Sequence, residues 1–157
     1  MRRPAPRRWD HHLTVDLVTA VFPRESEVWY RLLRRIRRDV FAEAARAGVD
    51  LIFTGVYRDT AGQAEAIRTM LEPVRTGGGS VLFVQLACAR EELLVRVQSD
   101  SRRARGKLTD PQVLVERYDL FATMPSEPHL RLDTTHKSPA QAAAQIATHY
   151  SLPLLPA

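Results

Sequence analysis

Three clusters in this 157-residue chain combine residue types that can do chemistry. Asp10-His11-His12 sets a carboxylate beside two imidazoles, directly after Trp9 and ahead of the apolar stretch 13–21. At the end of a strand, such a group could hold or deprotonate a hydroxyl substrate. A metal is a second possibility, weakened because adjacent histidine side chains commonly point apart, and no metal ligands are assigned from the sequence. A polar turn near a terminus is the structural alternative. Thr54-Gly55-Val56-Tyr57-Arg58 leaves the carboxyl end of an apolar run, the edge at which open α/β sheets bind ligands. Thr54, the close approach that Gly55 permits, and the cation of Arg58 suit an anionic or hydroxylated substrate, although an ordinary strand-to-helix turn uses the same residue types. Ser101-Arg102-Arg103-Ala104-Arg105-Gly106-Lys107 packs four cations and a glycine between two helices. Guanidinium forks match phosphate oxygens and can cover a transferring phosphoryl group. A solvated charged surface is the competing explanation.

The elements that must position these clusters follow from hydrophobic pattern. Apolar runs at 49–54, 81–86 and 130–133 read as short strands, and their continuous hydrophobicity suits strands covered on both faces. Over 27–47, Trp29, Leu32, Leu33, Ile36, Val40 and Ala44 recur at three- and four-residue intervals and form one apolar stripe, with Arg31, Arg34, Arg35 and Arg38 mostly opposite. Gly48 can take the left-handed turn that stops this helix. Further helices are expected from Thr60 to near Pro73, over 91–98, from Asp110-Pro111, and from Ser138-Pro139 with Gln141 at the capping-box position. Gly77-Gly78-Gly79 precedes a strand, so it is a connector and not a phosphate cradle. Strands alternating with helices imply parallel pairing in an α/β three-layer sandwich with a mostly parallel sheet.

Composition narrows the function classes. The length fits one domain spanning 1–157, with the basic, proline-rich residues 1–8 expected to be disordered. No apolar run is long enough to cross a bilayer, and the basic start is not followed by a signal-peptide core, so a cytoplasmic protein with no membrane partner is expected. The lone Cys88 sits in an apolar run and reads as core. A net charge of +5 could serve nucleic acid, but the cations are dispersed and no helix-turn-helix or zinc signature is present, so no nucleic-acid partner is expected.

Taken in order, the motifs resemble a known family. The tail Leu130-Arg131-Leu132-Asp133-Thr134-Thr135-His136-Lys137-Ser138-Pro139, on to Ile146, resembles the last strand, base-side loop and final helix of shikimate-kinase-like enzymes. Leu94-Val95-Arg96, through Ser101-Arg102-Arg103 and Gly106-Lys107-Leu108, looks like the preceding helix and arginine-bearing lid. His12 to Asp16, Thr54 to Tyr57 and Val84 to Cys88 are similar to bacterial proteins labelled AAA-family ATPase or shikimate-kinase-like. The resemblance runs from about Trp9 onward and implies a P-loop NTPase of the small-molecule kinase type. Its implied cofactors are ATP and Mg²⁺, and its implied partners are a nucleotide and a small hydroxylated molecule. By position, Arg96 would flank the adenine, with Thr134, Thr135 and His136 beside it. Arg102 or Arg103 would be the lid arginine, Asp10 the carboxylate holding the acceptor hydroxyl, and Arg117 the residue that binds an anionic acceptor. The residues after Arg117, Tyr118-Asp119-Leu120-Phe121, depart from the family's proline-containing pattern, which argues against shikimate itself.

A larger departure concerns the phosphate cradle. Gly-x-x-x-x-Gly-Lys-Ser/Thr occurs nowhere in the 157 residues, and with it the P-loop ligand for Mg²⁺ is missing. The resemblance places that strand–loop–helix ahead of Trp9, with its strand at the centre of the sheet. Without it, the strands near 49 and 81 should expose unpaired edges or pair directly. A start codon assigned too far downstream, or a truncated gene, is the expected cause, and no phosphotransferase turnover is expected from these residues alone. The alternative is a non-catalytic relative that binds an anionic metabolite or a protein partner. The residues leave the oligomeric state open.

Overall fold

A computed structural model describes residues 5–57, 62–117 and 127–153. The chain divides into two compact units, one running to Val81 apart from Tyr57–Asp59, which group with the second unit from Leu82 onward.

The first unit contains strand β1 (Arg7–Asp10), helices α1 (His12–Thr19) and α2 (Glu27–Arg46), strand β2 (Leu51–Thr54) and helix α3 (Gln63–Thr76). β1 and β2 run parallel, in a register that pairs Arg7 with Leu51 and Asp10 with Thr54. Helix α2 forms where its apolar stripe and Gly48 place it, although Phe41 is buried in place of the expected Val40, which is 39% exposed, and the Ser26 cap was not read from the sequence. The Ser26 hydroxyl accepts the Trp29 amide at 3.2 Å as an N-cap, the stripe of Trp29, Leu33 and Phe41 is buried, and Gly48 adopts φ +63° just past the end. Val15 and Val18 of α1 pack with Trp29 and Leu33 into the unit's core, flanked by Phe22, Leu32 and Ile36. The indole N–H of Trp29 donates to Thr19 Oγ1 at 2.9 Å, so its polar edge is satisfied within that core. A second contact set joins β1, α2 and β2: the rings of Trp9, Phe41 and Phe53 meet edge to face with centroids 5.2–5.4 Å apart.

Several expectations for this unit change. Arg7 and Arg8 are not part of a disordered start but lie in β1, paired with Leu51 and Ile52. A ladder is made of backbone groups, so two arginines on an edge strand conceal it from pattern reading without preventing it. Helix α1 also escaped, because Leu13 and Leu17 are exposed while Val15 and Val18 are buried, which leaves no amphipathic period to read. Helix α3 continues through Pro73 to Thr76 instead of ending there. Its Leu71 is buried and Glu72 lies 3.6 Å from Arg38 of α2, so packing on α2 outweighs the one donor the proline removes. The expected start of α3 at Thr60 lies outside the described residues. Gly77–Gly79 is an ordered helix end: Gly78 takes φ +78°, and the Gly79 amide bonds Val74 O at 2.8 Å.

The second unit contains strand β3 (Phe83–Ala87), helices α4 (Arg90–Val97), α5 (Asp100–Arg103) and α6 (Pro111–Arg117), strand β4 (His129–Asp133) and helix α7 (Pro139–His149). β3 and β4 are parallel, with Phe83 opposite His129 and Ala87 opposite Asp133. Val97, Leu132, Ala142 and Ala147 are its buried apolar residues. The Tyr150 hydroxyl donates to Phe83 O at 2.5 Å and accepts the Leu130 amide at 3.2 Å, which clamps both strands from the end of α7. Both expected caps form. Asp110 Oδ1 accepts the Gln112 amide at 2.8 Å, and Ser138 with Gln141 makes a full capping box.

The strands are parallel as expected and form two separate two-stranded sheets, and of the two outcomes expected for the strands near 49 and 81, direct pairing between them is not seen among the described residues. β2 has β1 and β3 has β4 as its one ladder partner among the described residues. Each therefore keeps an edge without a ladder there, and Ile52 and Leu86 remain 51% and 61% exposed. Parallel strands are ordinarily covered on both faces and sides, so these pairs carry apolar surface beyond what they bury. No helix among the described residues is long and apolar enough to cross a membrane.

Candidate functional site

Chemistry-bearing side chains gather at the carboxyl end of each parallel pair. In the first unit, Asp10 ends β1 and stands opposite Thr54, the last residue of β2, so the parallel register brings two distant sequence clusters to one edge. The chain then turns at once into α1. Asp10 Oδ1 accepts the His12 amide at 3.1 Å, and Oδ2 lies 3.9 Å from Arg8 Nη2. The rings of His11 and His12 do not diverge but stack, with centroids 4.4 Å apart and planes 20° from parallel. Arg58 lies outside the described residues.

Arg37 holds this turn and was missed among the dispersed cations. Its Nε donates to Thr14 Oγ1 at 3.0 Å and its Nη2 to His11 O at 3.4 Å, while the guanidinium sits 5.5 Å from the Phe53 ring centroid. Burial lowers its pKa from the ordinary arginine value, as desolvation of a cation must. The readable signal was spacing: Leu33, Arg37 and Phe41 stand four apart, so Arg37 falls on the apolar face of α2.

In the second unit, the residues that the resemblance assigns to a base-side loop lie together. Arg96 of α4 donates to Thr134 Oγ1 at 3.1 Å, Thr134 O at 2.7 Å and Thr135 O at 3.2 Å, and its Nε reaches Glu92 Oε1 at 2.7 Å. Thr134 Oγ1 in turn donates to Ala87 O at 2.9 Å, and Thr135 Oγ1 accepts the Ala89 amide at 2.8 Å, which ties the ends of β3 and β4. Asp133 accepts both the Thr135 hydroxyl at 2.6 Å and its amide at 2.8 Å. These bonds hold its carboxyl below the usual carboxylate range, with the hydroxyl the larger cause. His136 follows and is exposed. Cys88, expected in the core, is only half-buried just beyond β3. Desolvation raises its thiol pKa, partly opposed by the charge of Arg96.

The two arginines expected to form a lid separate in character. Arg102 is half-buried and its Nε donates to Leu108 O at 3.0 Å, closing the turn after α5. Arg103 is 66% exposed and pairs at 2.5 Å with Asp100, itself 96% exposed, an ion pair worth little in water. Arg103 is the one able to exchange its partner for an anion. Arg117 is exposed at the end of α6, which packs on α4. Tyr118 to Phe121 lie outside the described residues.

No protein-family profile matches the chain, and no curated protein sequence does. Among the solved structures that share its fold are two at low sequence identity. One is a crystal structure at 1.70 Å of a protein assigned as a kinase from Chloroflexus aurantiacus, with TM-score 0.59, 16% identity, and coverage of 93% of this chain and 80% of that one. The other is the tunicamycin resistance protein of Deinococcus radiodurans, with TM-score 0.56, 18% identity, and coverage of 98% and 87%. The chain therefore has a kinase-like α/β fold.

Proposed function

We propose that this chain is the acceptor-side and base-side body of an ATP-dependent small-molecule phosphotransferase of the P-loop, shikimate-kinase-like type, without the phosphate cradle. The observation that carries the reading is the placement of chemistry at two parallel strand ends. Asp10 stands level with Thr54 on one, and Arg96 braces the Thr134-Thr135 loop on the other. Asp10 would hold the acceptor hydroxyl and take its proton, with Thr54 at the same strand edge, and Arg58 and Arg117 are the cations proposed for an anionic acceptor. The Arg96 guanidinium is bonded along its edges to the loop and 38% exposed, which suits its flat face to a nucleotide base. The Thr134 and Thr135 hydroxyls bond the protein's own backbone and Asp133, so with His136 they shape the base-side wall instead of reading the base. Arg103, and less so Arg102, supplies mobile charge for the phosphates. Mg²⁺ would arrive with the nucleotide.

Phosphoryl transfer depends on positioning and charge neutralisation by a glycine-rich cradle, its lysine and its hydroxyl. None of these is encoded in the 157 residues, so the chain by itself should bind ATP weakly and not turn it over. Calorimetry with a non-hydrolysable ATP analogue tests this reading. Weak saturable binding, reduced at least fivefold by Arg103→Ala, is expected, with no ADP release from ATP. A chain carrying an apolar strand, Gly-x-x-x-x-Gly-Lys-Ser and a helix ahead of residue 5 should gain ATP hydrolysis. Absence of nucleotide binding in both forms would refute the proposal and favour a non-catalytic, anion- or partner-binding relative.

A further inference from the structure

The stacked imidazoles have a consequence beyond kinase chemistry. Asp10, His11 and His12 each offer one ligand atom, and these atoms all lie within 4.8 Å of one another. We propose that this cluster is a binding site for a borderline divalent transition cation, Zn²⁺ or Co²⁺, held by two imidazole nitrogens and one carboxylate oxygen with water completing the shell. Two nitrogens and one oxygen are a donor set such cations favour over Mg²⁺ or Ca²⁺. Ligands around a tetrahedral ion at about 2.0–2.1 Å stand roughly 3.3 Å apart, so the three atoms need to draw in by no more than about 1.5 Å. All three residues are half-buried, so modest side-chain rotation can supply that movement.

Adjacent histidines can converge here because the backbone is compressed. β1 stops at Asp10, His11 already has helical angles (φ −59°, ψ −26°), and His12 is the first residue of α1. The Asp10 carboxylate holds the His12 amide, and Thr14 Oγ1 donates to the His11 carbonyl at 2.9 Å, so the turn is fixed through its backbone. Two cations oppose the site: Arg8 Nη2 lies 3.9 Å from Asp10 Oδ2 and competes for the carboxylate, and Arg37 Nη2 lies 3.4 Å from His11 O. At its range in a wet environment, Arg8 should weaken metal binding by about threefold.

This inference goes beyond the phosphotransferase reading and does not need it, since the metal is measured without nucleotide; either can fail alone. The test is calorimetry of the full chain with ZnCl₂, together with a Co²⁺ titration followed by visible absorption. One saturable site is expected. Its affinity should fall at least tenfold in His11→Ala, His12→Ala and Asp10→Asn, stay unchanged in His136→Ala and His149→Ala, and rise about threefold in Arg8→Gln. Far-UV circular dichroism of each variant confirms folding, and the Arg8→Gln gain cannot arise from an unfolded chain. No saturable binding overturns the proposal, as does binding that is indifferent to His11 and His12 or that follows His136 or His149.

Discussion

Replacing Arg37 with methionine isolates what its guanidinium does, because methionine keeps an unbranched apolar stem on the same face of α2. The bond from Nε to Thr14 Oγ1, at 3.0 Å, is charge-assisted and contributes about 1.5–3 kcal/mol. The bond to His11 O, at 3.4 Å, is near the limit of a real interaction and adds little. The position 5.5 Å from the Phe53 ring adds about 0.5–1 kcal/mol. Against these stands the desolvation that depresses the arginine's pKa, which methionine relieves. Thr14 keeps its own bond to His11 O at 2.9 Å, so no buried donor is orphaned. The net expectation is a loss of about 2 kcal/mol. Urea unfolding followed by tryptophan fluorescence reads it cleanly, because both tryptophans, Trp9 and Trp29, lie in the first unit. A double-mutant cycle with Thr14→Val should show coupling of about 1 kcal/mol or more. Strict additivity, or a loss below about 0.5 kcal/mol for Arg37→Met, would refute the view that this arginine anchors the Asp10–His12 turn.

Two further outcomes concern the second unit. Tyr150→Phe removes the hydroxyl that joins Phe83 O and the Leu130 amide, and should cost about 1–2 kcal/mol in urea unfolding followed by far-UV circular dichroism. No measurable change would mean that water replaces the clamp. Cys88 should alkylate slowly, with its rate climbing through a midpoint above the ordinary thiol value, because burial disfavours the thiolate and only a rise in pH restores it. The same thiol in urea should react with an ordinary midpoint, and a native midpoint below about pH 8 would contradict the assigned environment.

Local rules were enough for much of this protein. Serine, aspartate and glycine stops located α2, α6 and α7, because a cap satisfies backbone groups within three or four residues and needs nothing distant. The apolar runs located β2, β3 and β4, and their alternation with helices implied parallel pairing. The Thr134-Thr135 loop and Arg96 were legible only through the order of motifs, and the structure does bring them together.

Tertiary structure decided the rest. β1 is written in arginines, and only its ladder to β2 reveals that Asp10 and Thr54, more than forty positions apart, share one edge. Arg37 had no role assigned from sequence until packing placed it over Phe53 and against Thr14. Pro73 looked like a helix stop, and contacts with α2 carried the helix past it. The imidazoles of His11 and His12 face each other because a strand ends and a helix begins with no residue to spare. In the first three cases the deciding energy comes from a neighbour far away along the chain, and neither periodicity nor local spacing encodes such a neighbour.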